Sequence, residues 1–225
     1  MNGSHRVVTE KVTFAMPETG IGLFPDVGGT YFLPRCPGET GMYLGLTGAR
    51  LKAPDTLYTG LATHHTPSGE LPQLLDALCA ADDVDACLDR FAQAPEGEAL
   101  LATMRRDIDH CFGAASVEAI LESLAGQPSE WAQKTAGILR KKSPTSLAIT
   151  FRQLRAGKTL SFEDAMKLEF RIVNRIFTAH DFFEGTRAVV IDKDNAPNWQ
   201  PASLDDISKG DIDAYFAPLE HELDL

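Results

Sequence analysis

The stretch Met16-Pro17-Glu18-Thr19-Gly20-Ile21-Gly22-Leu23-Phe24-Pro25-Asp26-Val27-Gly28-Gly29-Thr30-Tyr31-Phe32-Leu33-Pro34-Arg35 decides how this chain is read. Between Gly20 and Gly29 it holds four glycines and a proline, residues chosen for backbone conformation rather than for packing. A loop of that kind lets backbone approach another group closely. Two carboxylates, Glu18 and Asp26, lie within it. A carboxylate that follows a β-rich run and precedes exposed backbone can sit in a cleft instead of in solvent. Two in one pocket can divide the work, one ionised as base or nucleophile and the other orienting substrate or water. The competing reading is that both cap the turns that follow them, and spacing alone favours it.

On the N-terminal side of this stretch lie two short β-rich runs, Arg6–Thr9 and Val12–Met16. On the other side the patterns turn helical: a short helix from Thr30 to Pro34, then Thr40–Thr47 closed by a left-handed Gly48, then one from Pro54 to about Gly60. Leu61–His64 reads as a short strand. An acidic, alanine-rich region carries helices over 70–80 and 83–92, with a polar loop from Gln93 to Gly97. Val117, Ile120, Leu121 and Leu124 form a helical stripe. Ser143-Pro144 starts a helix bearing Leu147, Phe151 and Leu154 on one face. Ser161 with Asp164 resembles a capping box, opening a helix with Ala165, Leu168 and Ile172 in register. Asp181 with Glu184 repeats that device for a helix through about Asp192, and after Asn195 the tail is acidic, proline-punctuated and expected to wrap the surface. Two or three short strands do not make a stable sheet by themselves, so the chain reads as the back half of a larger α/β fold.

Composition narrows the function classes. The chain has 225 residues, 44% hydrophobic and 24% charged, enough to bury a core and unlike disordered material. No apolar run approaches the roughly 20 residues that span a bilayer, so no membrane partner is expected. With 21 basic and 32 acidic residues the net charge is −11, which repels phosphate backbones and argues against nucleic acid. Cys36, Cys79, Cys87 and Cys111 have no CxxC spacing and are expected to be inert, buried thiols in a reduced compartment. No metal site is expected: His64 and His65, adjacent in a strand, face opposite ways. His180 reads as structural and Lys141-Lys142 as a solvated helix end. The first residues, Met1 to Arg6, show no targeting pattern.

The run from Met16 to Arg35 closely resembles the signature of the 3-hydroxyisobutyryl-CoA hydrolases, a family of the crotonase (enoyl-CoA hydratase/isomerase) superfamily. The likeness continues through Leu46–Lys52, Gly60–His64, Ser143–Leu147, His180–Ala188, Ile191–Asp194 and Pro197–Trp199, with the 70–140 region least distinctive. It implies a crotonase-like (ClpP/crotonase) α/β fold: an incomplete spiral core with a helical C-terminal region. Residues 1–65 would be the last part of that core, 66–195 the helical region and 196–225 an acidic tail. It further implies cleavage of an acyl-CoA thioester to 3-hydroxyisobutyrate and CoA in valine breakdown. In this resemblance Glu18 and Asp26 are the catalytic carboxylates, and Asp26 sets hydrolases apart from hydratases. Gly22, Gly28 and Gly29 would shape the backbone around the substrate, and Lys193 would meet CoA phosphates. No cofactor is implied beyond the CoA of the substrate itself. The implied compartment is the cytoplasm, or the mitochondrial matrix in a eukaryote, and the C-terminal helices are expected subunit contacts.

The resemblance also brings an expectation of incompleteness. Full-length members carry an N-terminal half with most of the strands, the CoA-binding surface and a Gly-Gly-Gly segment that forms the oxyanion hole, and none of those glycines is in this sequence. Losing even one oxyanion donor can cost about 10²–10³ in rate, so a truncated, inactive chain is expected. The rival readings are an enoyl-CoA hydratase or isomerase, against which Asp26 speaks, and a non-catalytic assembly module.

Overall fold

Short-range chemistry sets most helix boundaries in the computed structural model, which describes residues 2–225. In chain order the elements are β1 (Val7–Val8), α1 (Gly29–Phe32), α2 (Thr40–Thr47), α3 (Ala53–Tyr58), β2 (His64–His65), α4 (Leu71–Cys79) and α5 (Val84–Phe91). There follow α6 (Leu100–Phe112), α7 (Val117–Ala125), α8 (Glu130–Leu139), α9 (Pro144–Gly157), α10 (Phe162–Ile176), α11 (His180–Thr186) and α12 (Lys209–Phe216). They form two compact units. One takes the described residues up to Ala15 with Arg50–Arg105, the other Met16–Ala49 with Arg106–Leu225.

In the first unit β1 and β2 pair in parallel, Val7 opposite His64 and Val8 opposite His65. The expected strand over Leu61–His64 is therefore displaced toward its C-terminal end. The cause is Arg6, whose Nε donates to the Leu61 carbonyl at 2.9 Å and whose backbone N–H donates to Thr63 Oγ1 at 2.8 Å. Those bonds take up the residues before His64 outside a regular ladder. The Val12–Met16 run makes only one antiparallel bridge, Phe14 with Leu51. A small core of Leu74, Cys87 and Leu88 joins α4 to α5.

The second unit carries the candidate site. Serine side chains start its helices, at Ser143 and Ser161 as read from sequence and at Ser116 besides: they accept from the backbone N–H groups of Ser146, Asp164 and Ala119. Gly48 closes α2 at a φ of 70°. The core gathers Phe24, Ile149, Leu168, Ile172, Ile176 and Ile212 from the glycine-rich loop, α9, α10 and α12. From the tail, Ile212 of α12 inserts its side chain into this interior.

One expected cap is overturned. The N-cap of α11 is Ala179, without a side-chain bond, and Asp181 lies inside the helix and buried. Its Oδ2 accepts from Ser143 Oγ at 2.6 Å and its Oδ1 from the Gln200 N–H at 2.8 Å. Partners from other elements have taken both oxygens, so Asp181 ties α11 to α9 and to the tail. Glu184 binds Arg187 instead, at 2.9 Å, and the helix passes into a π-helical turn over Arg187–Ile191. Among the described residues no helix is long and apolar enough to cross a membrane.

Candidate active site

Glu18 opens a 3-10 turn, Glu18–Ile21, that Gly22 ends in the left-handed region at a φ of 72°. Thr19 pins this turn by donating its Oγ1 proton to the Leu46 carbonyl at 3.1 Å. A side chain at Gly22 would bring a Cβ within 2.1 Å of the Asp181 carbonyl oxygen, so α11 rests on bare backbone there. The same contact is made from the other side, where a Cβ on Gly185 would lie 2.4 Å from the Ile21 carbonyl carbon. Glycine at both positions is what lets α11 reach the turn that carries Glu18.

The Glu18 side chain is half-buried, and its Oε2 is buried without a hydrogen-bond partner. Burial lifts its pKa from the ordinary 4.5 to about 7, and the charge of Asp26 pushes in the same direction. Lys142 opposes both. That lysine is not the solvated helix end expected of it. It is partly buried, and a Cβ on Gly20 would lie 3.1 Å from its Nζ. Burial lowers the pKa of Lys142, and Glu18 restores part of the loss. Ser143-Pro144 accounts for this placement: its N–H donates to the Thr19 carbonyl at 3.2 Å, drawing the start of α9 against the Glu18 turn.

Asp26 lies eight positions on, its pKa raised by burial. It lines a cleft of about 200 Å³ with Phe24, Met166, Glu169, Phe170 and Val173. The next two residues are both left-handed, Val27 at a φ of 46° and Gly28 at 93°. A β-branched residue rarely adopts that conformation, so the turn has to be held from outside. Two buried side chains hold it. Glu169 on α10 accepts from the Gly28 N–H at 3.0 Å and from the Thr30 N–H at 2.9 Å. Gln153 on α9 donates from Nε2 to the Pro25 carbonyl and to Thr30 Oγ1, both at 2.6 Å.

Of the residues singled out in the sequence, Glu18 and Asp26 are thus close enough to feel each other's charge. Gly22 faces α11, Gly28 precedes α1 and Gly29 is its first residue, giving its N–H to the Asp26 carbonyl at 2.8 Å. Lys193 stands apart, exposed and left-handed at a φ of 58°, with no hydrogen bond or ion pair to Glu18 or Asp26. The sequence reads Lys142 only as a solvated helix end, and does not single out Gln153 and Glu169. A signal for Glu169 exists: it falls on the apolar stripe Ala165-Leu168-Ile172-Ile176, where an unpaired charge is not tolerated.

The adjacent histidines turn to different partners. His65 is buried, its Nδ1 3.0 Å from the Gln93 carbonyl, while His64 sits 3.5 Å from Asp89. The cysteines are free and Cys36 is pushed up to about 12 by burial, as an inert thiol would be, but Cys79 is exposed.

A carboxyl group with one free oxygen and a pKa near neutrality can take a proton from water or attack an acyl carbon. Several known proteins are similar to this chain. The family model described as enoyl-CoA hydratase/isomerase matches residues 1–216. The chain is 45% identical to the mitochondrial 3-hydroxyisobutyryl-CoA hydrolase of Gallus gallus, over 97% of its own length and 59% of that protein. It is 40% identical to 3-hydroxyisobutyryl-CoA hydrolase 1 of Arabidopsis thaliana, over 100% of its own length and 63% of that protein. Among solved structures, a carnitinyl-CoA dehydratase from Mycobacterium thermoresistibile superposes with a TM-score of 0.92 at 38% identity, covering 99% of this chain and 64% of the other. An enoyl-CoA hydratase from Rhodobacter sphaeroides 2.4.1 gives 0.85 at 35%, covering 96% and 62%. The chain spans about three fifths of the length of each of these proteins. It has their crotonase-like α/β fold and belongs to the enoyl-CoA hydratase/isomerase family.

Proposed function

We propose that this chain supplies the carboxylate side of a site that hydrolyses 3-hydroxyisobutyryl-CoA to 3-hydroxyisobutyrate and CoA, a step in valine breakdown. The observation that carries the reading is Glu18, whose buried Oε2 has no partner and whose pKa is pushed up to about 7 beside a second carboxylate. The names of the relatives at 40–45% identity support the choice of substrate. In one version ionised Glu18 takes a proton from water as the water oxygen attacks the thioester carbonyl, and CoA thiolate leaves and is protonated. In the other, Glu18 attacks the carbonyl carbon, CoA thiolate leaves, and water then cleaves the acyl-glutamyl anhydride. Asp26 would hold the substrate hydroxyl or assist the water, with Gly22, Gly28 and Gly29 shaping the backbone and Lys193 meeting CoA phosphates. The reaction calls for no cofactor beyond the CoA of the substrate. Its setting would be the cytoplasm, or the mitochondrial matrix in a eukaryote.

Hydration of an enoyl-CoA is the second reading, favoured by the two similar solved structures, a carnitinyl-CoA dehydratase and an enoyl-CoA hydratase. One experiment separates them: thiol release from 3-hydroxyisobutyryl-CoA against hydration of crotonyl-CoA. Both are measured for the chain alone and for the chain joined to the N-terminal segment of a full-length relative. Thiol release that falls about 10²-fold or more in Glu18→Gln and also falls in Asp26→Asn is the expected result. Hydration without thiol release selects the second reading, and neutral substitutions remove Glu18 and Asp26 from the site. In a single turnover in ¹⁸O-water, label entering the Glu18 carboxylate selects the anhydride version, since water reaches that carbon only by opening the anhydride on its glutamyl side.

A further inference from the structure

We infer that Glu169 is a positioning residue for Asp26, holding the Phe24–Thr30 loop in its left-handed turn; the inference extends the reading of Asp26 as a site residue. Glu169 is 4% exposed, and each of its oxygens is spent on a backbone N–H of the same loop, Oε2 on Gly28 and Oε1 on Thr30. It reaches across 141 and 139 positions of sequence to do so. Burial raises the pKa of this carboxyl, the bonds from Gly28 and Thr30 offset part of that rise, and the charge of Asp26 adds to it. Bonds from N–H groups to an ionised carboxylate are the stronger kind, and two of them on one carboxylate fix direction as well as distance.

The loop needs such a hold because its preferred conformation lies elsewhere. Val27, between Asp26 and the first bonded N–H, is left-handed and exposed, so its own side chain contributes little packing to fix it. Gln153 fastens the other shoulder through the Pro25 carbonyl and Thr30 Oγ1. Asp26 stands between the two fastenings, with no side-chain hydrogen bond of its own to another of the described residues. Its direction into the cleft it shares with Glu169 is therefore set by the backbone on either side.

The test is amide exchange and one-bond Cα–Hα couplings by NMR on the 225-residue chain, in Glu169→Gln and Glu169→Leu. Gln keeps one acceptor and turns a donor toward the other N–H; Leu removes both. The expected result is a graded loss, with the Gly28 and Thr30 amides exchanging about tenfold faster or more in Glu169→Gln and faster again in Glu169→Leu. The coupling of Val27 should lose its left-handed value in parallel. Ile172→Val, in the same helix and in the core cluster that Phe24 joins, serves as the control for stability lost without removing the hydrogen bonds to Gly28 and Thr30. Gln153→Leu is the second variant should Glu169→Leu fail to fold, and is expected to free the Pro25 side first. Unchanged exchange and coupling at Gly28, Thr30 and Val27, or equal changes in Ile172→Val, overturn the inference. Failure of the hydrolase reading shows separately, as absent thiol release by the unmutated protein, and leaves these readouts to decide on Glu169.

Discussion

At the scale of the residue, Glu18 is a carboxylate that the fold discourages from ionising. Its folded pKa of about 7 lies above the ordinary 4.5, so the folded state binds more protons than the unfolded one between those values. Glu18 therefore withdraws stability as pH rises from about 4.5 through about 7, and withdraws none below that window. Glu18→Gln is accordingly expected to match the unmutated chain in thermal midpoint at pH 4 and to exceed it at pH 8. Lys142→Met, which removes the opposing charge, should lower the midpoint at pH 8 more than at pH 4. Thermal scans at the two values check both signs, and reversed signs would mean that Glu18 is not desolvated. Glu18 and Asp26 were legible because their neighbours in sequence, the glycines and prolines, announce an unusual backbone. Lys142, from the turn before α9, and Gln153 and Glu169, from α9 and α10, arrive from more than a hundred residues away, and a single sequence holds no trace of that meeting beyond a charge on an apolar stripe.

At the scale of the element, helix starts were readable wherever the signal was a serine bonding its own helix, as at Ser143 and Ser161. The same reasoning failed at Asp181, because a buried carboxylate can be claimed by distant donors and a cap motif does not reveal who competes for it. The contact between α11 and the Glu18 turn yields the sharpest prediction here. Gly185→Ala would set a methyl 2.4 Å from the Ile21 carbonyl carbon, a backbone atom that cannot swing aside. Overpacking of this kind costs typically about 1–3 kcal/mol, and the same variant should raise exchange at the amides of Gly20 and Leu23. An alanine at Gly137, whose Cβ would meet nothing, should leave both unchanged.

At the scale of the whole molecule, the early β-rich runs yield only the two-residue pairing of β1 with β2, and helices dominate the remainder, among them α6 over Leu100–Phe112, to which the sequence reading assigned no element. The tail was the harder part, because its apolar residues Ile207, Ile212, Tyr215 and Phe216 are diluted among aspartates and show no clean stripe. In the structure Ile212 is 8% exposed and joins the cluster that contains Phe24, two residues before Asp26. Ile212→Ala should therefore cost about 2–5 kcal/mol, read as a lower urea midpoint, rather than the near-zero effect of a surface substitution. A second anchor lies beside the site itself. Trp199 is nearly buried and donates its indole Nε1 proton to the carbonyl of Lys141, at 3.1 Å, next to the lysine that faces Glu18. The chain has only one other tryptophan, Trp131. With that one replaced by phenylalanine, the emission of Trp199 becomes a native optical gauge of the peptide plane leading to Lys142, so that occupancy of the pocket can be followed in real time without an attached dye.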